Sequence, residues 1–376
     1  MLIRKAKKYR VKVRPQQEEI FARFAGCQRF LWNHFLALQK SRLDQDLRCL
    51  SYADMCKELT VLKGVEETTF LAEVHSQTLQ QTLKDIDRAL KDAFAKKKKF
   101  PRFKKKGRND SFRYPQGVKL KDGRIFFPKI GWFCFFCSGS NDGIVKNATV
   151  SRRGKSWFVS IQVEKEVPEP VHPSQSKVGI DMGCVRFATL SSGKYFEPAN
   201  HFSRLEHKLA IAQRRLSRKV KFSNNWRKQK KQVQEVHRKI ADARADYLHK
   251  VSTTISKSHA MIVMEELKVA TMSRSKSGKT RLNKKILDQG WYEFRRQLEY
   301  KQLWRGGTVV LVDPCNTSRT CPLCKHISKD NRKSQAHFKC VSCGFSGNAD
   351  FVAACNILMA VGHTVSACGD TKLVAV

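Results

Sequence analysis

The amino-acid sequence predicts a mixed α/β domain preceded by a β barrel and a helical module. Three observations carry this expectation: strand-like alternation over residues 1–15 and again over 108–166, a helical apolar period between them, and strands alternating with helices after residue 177. Tyr9, Val11 and Val13 alternate with Lys8, Arg10, Lys12 and Arg14, which describes a first strand with a basic face, ended by Pro15. From Gln16 to about Ala95 the period lengthens: Ile20, Phe21, Phe24, Cys27, Leu31 and Phe35 share one helix face, and Leu79, Leu83, Ile86, Leu90 and Phe94 another. Strands are expected again at 124–127, 132–137, 148–151 and 156–163, and the first strand can join them in a single barrel.

Pro168, Pro170 and Pro173 favour extended backbone and mark a linker over 167–177. The second part then reads as strands at 178–182, 187–190 and 194–196, a polar helical stretch over 203–256, a strand at 261–264, a helix at 291–304 and a strand at 308–312. The expected division is a barrel (1–15 and 108–166), a helical module (16–107), the linker, an α/β domain (178–317 and 346–376) and a cysteine-bearing insertion (318–345).

Against 33 Asp and Glu the chain carries 73 Lys and Arg, a net charge of +40. Such self-repulsion calls for an acidic partner, with nucleic acid first and an anionic membrane surface second. No stretch approaches the roughly 20 apolar residues of a spanning helix, and the first 14 residues hold no continuous apolar segment for export. A cytoplasmic protein with no membrane partner is expected. Between Lys91 and Arg108 lie ten basic residues and one acid, Asp92, with Phe100, Pro101 and Phe103 interleaved. A solvated loop explains a bare lysine run; interleaved aromatics favour a nucleic-acid contact through Lys97, Lys98, Lys99, Arg102, Phe103, Lys104 and Lys105. Residues 204–250 hold 15 Lys or Arg against 4 acids; Leu205, Leu209, Ala212, Leu216 and Val220 keep helical spacing for a packed side, and Arg214, Arg215, Arg218 and Arg227 are candidate phosphate contacts on the other.

Thirteen cysteines suggest metal binding and buried thiols in an intracellular chain. Cys321 and Cys324 are separated from Cys340 and Cys343 by fifteen residues. Two such knuckles supply the four thiolates of a closed, structural Zn²⁺ site, with no position left for a reacting water. Cys134 and Cys137 have the same two-residue gap, but they lie in an aromatic strand without a second pair and are read as buried thiols.

Three carboxylates stand where metal-dependent phosphoryl chemistry would want them. Asp181 ends an apolar strand and precedes Gly183, small enough to admit a phosphate; Glu265 ends another, with Glu266 as competitor; Asp350 opens an apolar helix after the second knuckle. Carboxylates from neighbouring strand ends and a packed helix can converge on two Mg²⁺ (or Mn²⁺) ions about 3.5 to 4 Å apart.

These residues resemble the TnpB family, the RNA-guided RuvC-like nucleases of bacterial insertion sequences, related to type V CRISPR effectors. The resemblance rests on Gly179-Ile180-Asp181-Met182-Gly183, Val263-Met264-Glu265-Glu266-Leu267, Asn316-Thr317-Ser318, the two knuckles, and Asn348-Ala349-Asp350 with Ala353-Ala354-Cys355-Asn356-Ile357. Arg14-Pro15, Phe100-Pro101-Arg102-Phe103-Lys104, Gly362-His363-Thr364 and Ala367-Cys368-Gly369 also fit its pattern, so the similarity spans nearly the whole chain. Where the family commonly has Asp after the second acid this chain has Glu266, and a less polar Phe351-Val352 follows Asp350.

The resemblance implies an RNase H-like (RuvC) nuclease domain with an inserted zinc ribbon, a wedge-like barrel, and a helical recognition insertion. It implies a catalytic triad of Asp181, Glu265 and Asp350. It further implies a guide RNA from the element's end, double-stranded target DNA read beside a short flanking motif, and a nucleoid-associated prokaryotic protein that is a monomer or dimer with its RNA. A nuclease-inactive guided regulator and a strand-transferring transposase are the alternatives.

Overall fold

The computed structural model describes residues 1–137, 139, 142–272 and 280–367. Cys368 and Gly369 lie outside the described residues. Two compact units are present, Met1–Val167 and Pro168–Val376.

In the first unit β1 (Leu2–Lys12) leads into α1 (Pro15–Asp44), α2 (Tyr52–Gly64), a 3-10 turn (Glu66–Glu73) and α3 (Ser76–Phe94). Then follow β2 (Ser111–Tyr114), β3 (Lys119–Lys121), β4 (Arg124–Phe127), β5 (Gly131–Phe135), β6 (Ile144–Arg153) and β7 (Ser156–Glu166). The strand ends at Lys12, before Pro15 starts the helix, where a first helical residue needs no N–H partner. The seven strands form one sheet in the order β2-β6-β7-β1-β5-β4-β3, so β1 joins strands more than 120 residues away.

The sheet closes on itself through side chains. Tyr114 of β2 stacks on Phe127 of β4 at 5.2 Å, and its hydroxyl donates to the Pro128 carbonyl at 2.9 Å. Phe21 of α1 fills the interior, within ring-contact distance of Phe112, Phe127, Phe133 and Trp157. The helices and the sheet thus share one core. β2 and β3 were not legible because four and three residues are too short to show a period, and β3 is two-thirds lysine. The segment 132–137 corrects one expectation. Its pleat turns Phe133 and Phe135 inward and Trp132, Cys134 and Phe136 outward, so Cys134 and Cys137 are exposed thiols, not buried ones.

The second unit contains β8 (Lys177–Asp181), β9 (Ala188–Leu190), β10 (Tyr195–Phe196), α4 (His201–Ser217), α5 (Asn224–Ser258) and β11 (Met261–Glu265). It continues with α6 (Val269–Met272), α7 (Thr280–Gln289), α8 (Trp291–Leu303), β12 (Thr308–Val312), a 3-10 turn (Lys329–Asn331), β13 (His337–Lys339), β14 (Ser346–Asn348) and α9 (Ala349–Ala367). The main sheet runs β10-β9-β8-β11-β12, with β8, β11 and β12 parallel and β9 and β10 antiparallel. Its strands are buried on both sides, hence their continuous apolar runs. Ile262 and Met264 pack with Leu248, Val251, Ile255, Phe294 and Leu298 of α5 and α8, while Val263 and Val312 meet Ile357 of α9.

Gly179 sets the approach of α9. A Cβ there would stand 2.1 Å from the Ala354 carbonyl oxygen and 2.8 Å from the Leu358 nitrogen, so any larger residue would push the helix off β8. The polar stretch 203–256 is not one helix but two, because the chain turns over 218–223 and Ser223 caps α5 by accepting from the Trp226 amide at 3.1 Å. Leu209 and Ala212 pack against Val233, Val236 and Ile240 across the hairpin. Val220, expected on the packed face, is 79% exposed in the turn.

Candidate active site and zinc ribbon

Asp181 and Glu265 stand side by side at the carboxyl ends of parallel neighbours: Ile180 pairs with Met264, and each acid is the next residue. Asp350 arrives on the first turn of α9, where Asn348 Oδ1 accepts from the Asp350 and Phe351 amides, both at 3.1 Å. Since α9 is seated on β8 through Gly179, the sheet and the helix bring the three acids together. Their electrostatics report that convergence. Burial, reinforced by the negative charges of Glu265 and Asp350, pushes Asp181 up to about 7. Burial also raises Glu265, opposed by a hydrogen bond from Thr317 and the charge of Arg332. Glu266 is turned outward, exposed, and 3.7 Å from Arg295.

Sequence reasoning assigned no role to three residues that hold the acids. Thr317 Oγ1 donates to Glu265 Oε1 at 2.5 Å. The loop carrying Thr317 is tied to α9 by Asn356, whose amide donates to the carbonyls of Thr317 at 2.8 Å and Thr320 at 2.7 Å. Arg332, reaching from the cysteine-bearing insertion, donates to Asp350 Oδ1 at 3.1 Å and to the Gln335 carbonyl at 3.0 Å. The motifs containing Thr317 and Asn356 were visible, but hydroxyl and amide roles depend on partners remote in sequence. Gly183 has a nearer reason than phosphate access: a Cβ there would stand 2.9 Å from the Arg186 carbonyl oxygen.

The Sγ atoms of Cys321, Cys324, Cys340 and Cys343 all lie within 4.8 Å of one another. Cys321 and Cys343 are 3.6 Å apart and Cys324 and Cys340 3.5 Å. Four ligands about 2.3 Å from a tetrahedral Zn²⁺ stand about 3.8 Å from each other, so the set fits that ion. The Cys343 amide donates to Cys340 Sγ and holds that thiol below the ordinary cysteine range, toward the thiolate that a metal takes. Fully buried Asn331 ties the knuckles, donating to the Arg319 and His326 carbonyls and accepting from the Val341 amide at 3.0 Å. β13 and β14 pair antiparallel to close the insertion.

The candidate nucleic-acid residues occupy two surfaces. Lys97, Lys98 and Lys99 are exposed after α3, with Lys98 paired to Asp92 at 2.7 Å. The following segment is pinned to α1: Asn33 exchanges two hydrogen bonds with the Lys104 backbone, at 2.7 and 3.0 Å, and Trp32 donates to the Arg102 carbonyl at 3.0 Å. Lys40 lies over the rings of Phe100 and Phe103. The Lys104 ammonium sits 4.0 Å from the Trp32 ring centroid and is partly committed there, while Lys105 is exposed. In the second unit Arg214, Arg215, Arg218 and Arg227 are all exposed around the α4–α5 turn.

An Escherichia coli (strain K12) protein named as a candidate RNA-guided DNA endonuclease, InsQ, is 51% identical over 377 residues, spanning 96% of this chain and 94% of its own. The chain belongs to the TnpB family. A candidate RNA-guided DNA endonuclease of Streptomyces pristinaespiralis is 35% identical over 98% of this chain and 92% of its own. Family profiles described as "Probable transposase", "Cas12f1-like, TNB domain" and "Helix-turn-helix domain" match residues 160–276, 291–357 and 1–48. In this TnpB-family chain the last of these covers β1 and the single long helix α1. A cryo-EM structure titled as a Cas12f1–sgRNA–target DNA complex superposes with a TM-score of 0.58 at 15% identity, covering 92% of this chain and 83% of that one. The α/β sheet is accordingly the RuvC-like, RNase H-type fold, and no helix among the described residues is long and apolar enough to cross a membrane.

Proposed function

We propose that this TnpB-family protein is an RNA-guided DNA endonuclease of a transposable element, cutting by metal-dependent phosphodiester hydrolysis at Asp181, Glu265 and Asp350. The observation that carries the reading is the convergence of three acids at which burial, reinforced by the charges of Glu265 and Asp350, raises Asp181, since such a donor set is suited to hard divalent cations. Bound Mg²⁺ or Mn²⁺ would orient the scissile phosphate, acidify the attacking water and neutralise the leaving oxygen. Asp181 and Glu265 present their carboxylates from rigid strand ends. Thr317 fixes one Glu265 oxygen and leaves the other free to bind. Arg332 steadies Asp350 in the ion-free protein and offers its remaining N–H groups to a phosphate oxygen beside it.

The cysteine cluster would hold a structural Zn²⁺ that shapes the segment between Thr317 and Asp350. The lysine-rich segment and the basic hairpin would hold the backbones of a guide RNA from the element's end and of double-stranded target DNA, with base pairing reading the sequence. We assign the residue divisions given above as wedge-like barrel, recognition insertion, RuvC-like domain and zinc ribbon, working in the cytoplasm as a monomer with its RNA. A transposase reading is kept because one matching profile is so described.

The test is to purify the protein with its cellular RNA, sequence that RNA, reprogramme its guide, and incubate the complex with matched plasmid DNA and Mg²⁺. Guide-dependent double-strand breaks are expected. Binding without breaks would favour a regulator, and joined strand-transfer products would favour a transposase.

A further inference from the structure

The turn between α4 and α5 has no part in the proposed cleavage chemistry, yet its composition is one-sided. From His207 to Gln234 there are ten Lys or Arg and no Asp or Glu. At the tip Val220 is 79% and Phe222 71% exposed. The Phe222 ring lies 5.5 Å from that of Trp226, tilted by 52°, and Lys230 Nζ stands 4.8 Å from the Trp226 centroid.

Phe222 also has φ of +69°, the left-handed region where a bulky side chain is strained and glycine is not. The turn does not need that ring. Its geometry is held by the Ser223 amide donating to the Val220 carbonyl at 3.2 Å and by the Ser223 cap on α5. The helices beneath are clamped by Gln229 donating to the Ala212 carbonyl at 3.0 Å. A strained, exposed aromatic on a rigid support, in a segment that carries cations and no acids, matches a ligand that is at once anionic and flat. Nucleic acid is both. An anionic membrane would take the charge, but two tilted rings and one valine offer it little apolar area.

The geometry points to a base-stacking site at this hairpin tip: Phe222, backed by Trp226, covers an unpaired or terminal nucleobase while Arg218, Lys219, Lys221 and Arg227 hold the flanking phosphates. The proposal deepens the nucleic-acid part of the proposed function but does not involve the acid cluster.

Its test uses the full chain without Mg²⁺ and three probes carrying one 2-aminopurine: a 20-nucleotide RNA, the same sequence as DNA, and a blunt duplex with the fluorescent base at its end. Stacking quenches the base, and the probe most strongly quenched identifies the source. One stacked base is worth about 1–3 kcal/mol, so Phe222→Gly should weaken binding roughly 5- to 150-fold and abolish quenching. The salt slope should be unchanged, and the melting temperature equal or higher because the strain is relieved. Phe222→Tyr should restore both readouts, and the Arg218→Ala and Lys221→Ala pair should lower the salt slope by about 2. Binding and quenching unaltered in Phe222→Gly would overturn the proposal, as would Phe222-dependent binding to phosphatidylserine vesicles in place of the oligonucleotides. A wild-type protein that cuts DNA while Phe222→Gly binds and quenches normally would sink the stacking site alone; one that stacks but never cuts would sink the nuclease reading alone.

Discussion

Four sulfurs and three carboxylates each converge in the second unit, but the two clusters rest on different support. The cysteines sit in an insertion whose own apolar contacts amount to Phe338 and Phe345 with Ala349 and Val352 of α9. So little buried surface stands against the chain entropy of two knuckles that a bound ion is expected to supply the difference. The carboxylates sit at the end of a sheet buried on both faces by α5, α8 and α9. With both faces covered, that sheet is expected to fold without an ion despite the acids gathered at its end. The first site is expected to need a metal in order to fold, and the second to need one only in order to act.

Zinc removal should break this comparison most severely if it is wrong. Cys321→Ser is expected to lower bound zinc from about one ion per chain to near zero and to open the insertion to proteolysis. Because Arg332 lies in that insertion and Thr317 and the start of α9 flank it, cleavage should be lost as well. A fully metallated, protease-resistant variant would show that the knuckles do not need four thiolates.

The acid cluster should respond to pH instead. Asp181 lies near 7 in the folded protein against 3.8 in the unfolded chain, with burial the main cause. Between those values the folded state binds the extra proton, so ion-free stability should fall as pH rises from about 4 to 7, by up to a few kcal/mol. Added Mg²⁺ should recover stability above pH 7, and Asp181→Asn should flatten the profile. Urea melts at four pH values check this; a stability that rises over that window would mean the carboxylates are not crowded.

A smaller effect is expected at Thr317, which orients a ligand without being one. Thr317→Val should reduce cleavage by about 10- to 100-fold, with zinc content unchanged, as typical for outer hydrogen-bond partners of metal ligands. Wild-type activity in this variant would remove the hydroxyl from the site.

The same contrast explains what was legible. The cysteine set is nearly local, so its spacing alone announced it. The strands ending in Asp181 and Glu265 were visible as apolar runs, because both faces of that sheet are covered. What joins the acids was not visible: the register of Ile180 with Met264, the Gly179 contact that seats α9, and the reach of Arg332 all depend on pairings across long separations. The break between α4 and α5 was missed for a related reason, since a polar, cationic helix pair offers little periodic signal once Val220 is counted on the wrong face. The outward turn of Cys134 follows from a pleat that an aromatic-rich segment disguises when both of its faces carry rings.

The central claim is that Glu265, and not its neighbour Glu266, completes an acid triad with Asp181 and Asp350. The direct measurement is guide-dependent cleavage by Glu265→Gln and Glu266→Gln over a Mg²⁺ titration, with guide-RNA binding measured in parallel. Loss of a ligand that provides several kcal/mol of transition-state stabilisation should cut the Glu265→Gln rate on the order of a thousandfold. Its RNA binding should be intact, and Glu266→Gln should cut within a few-fold of wild type. Equal cleavage by both variants, or loss in Glu266→Gln alone, would contradict the account.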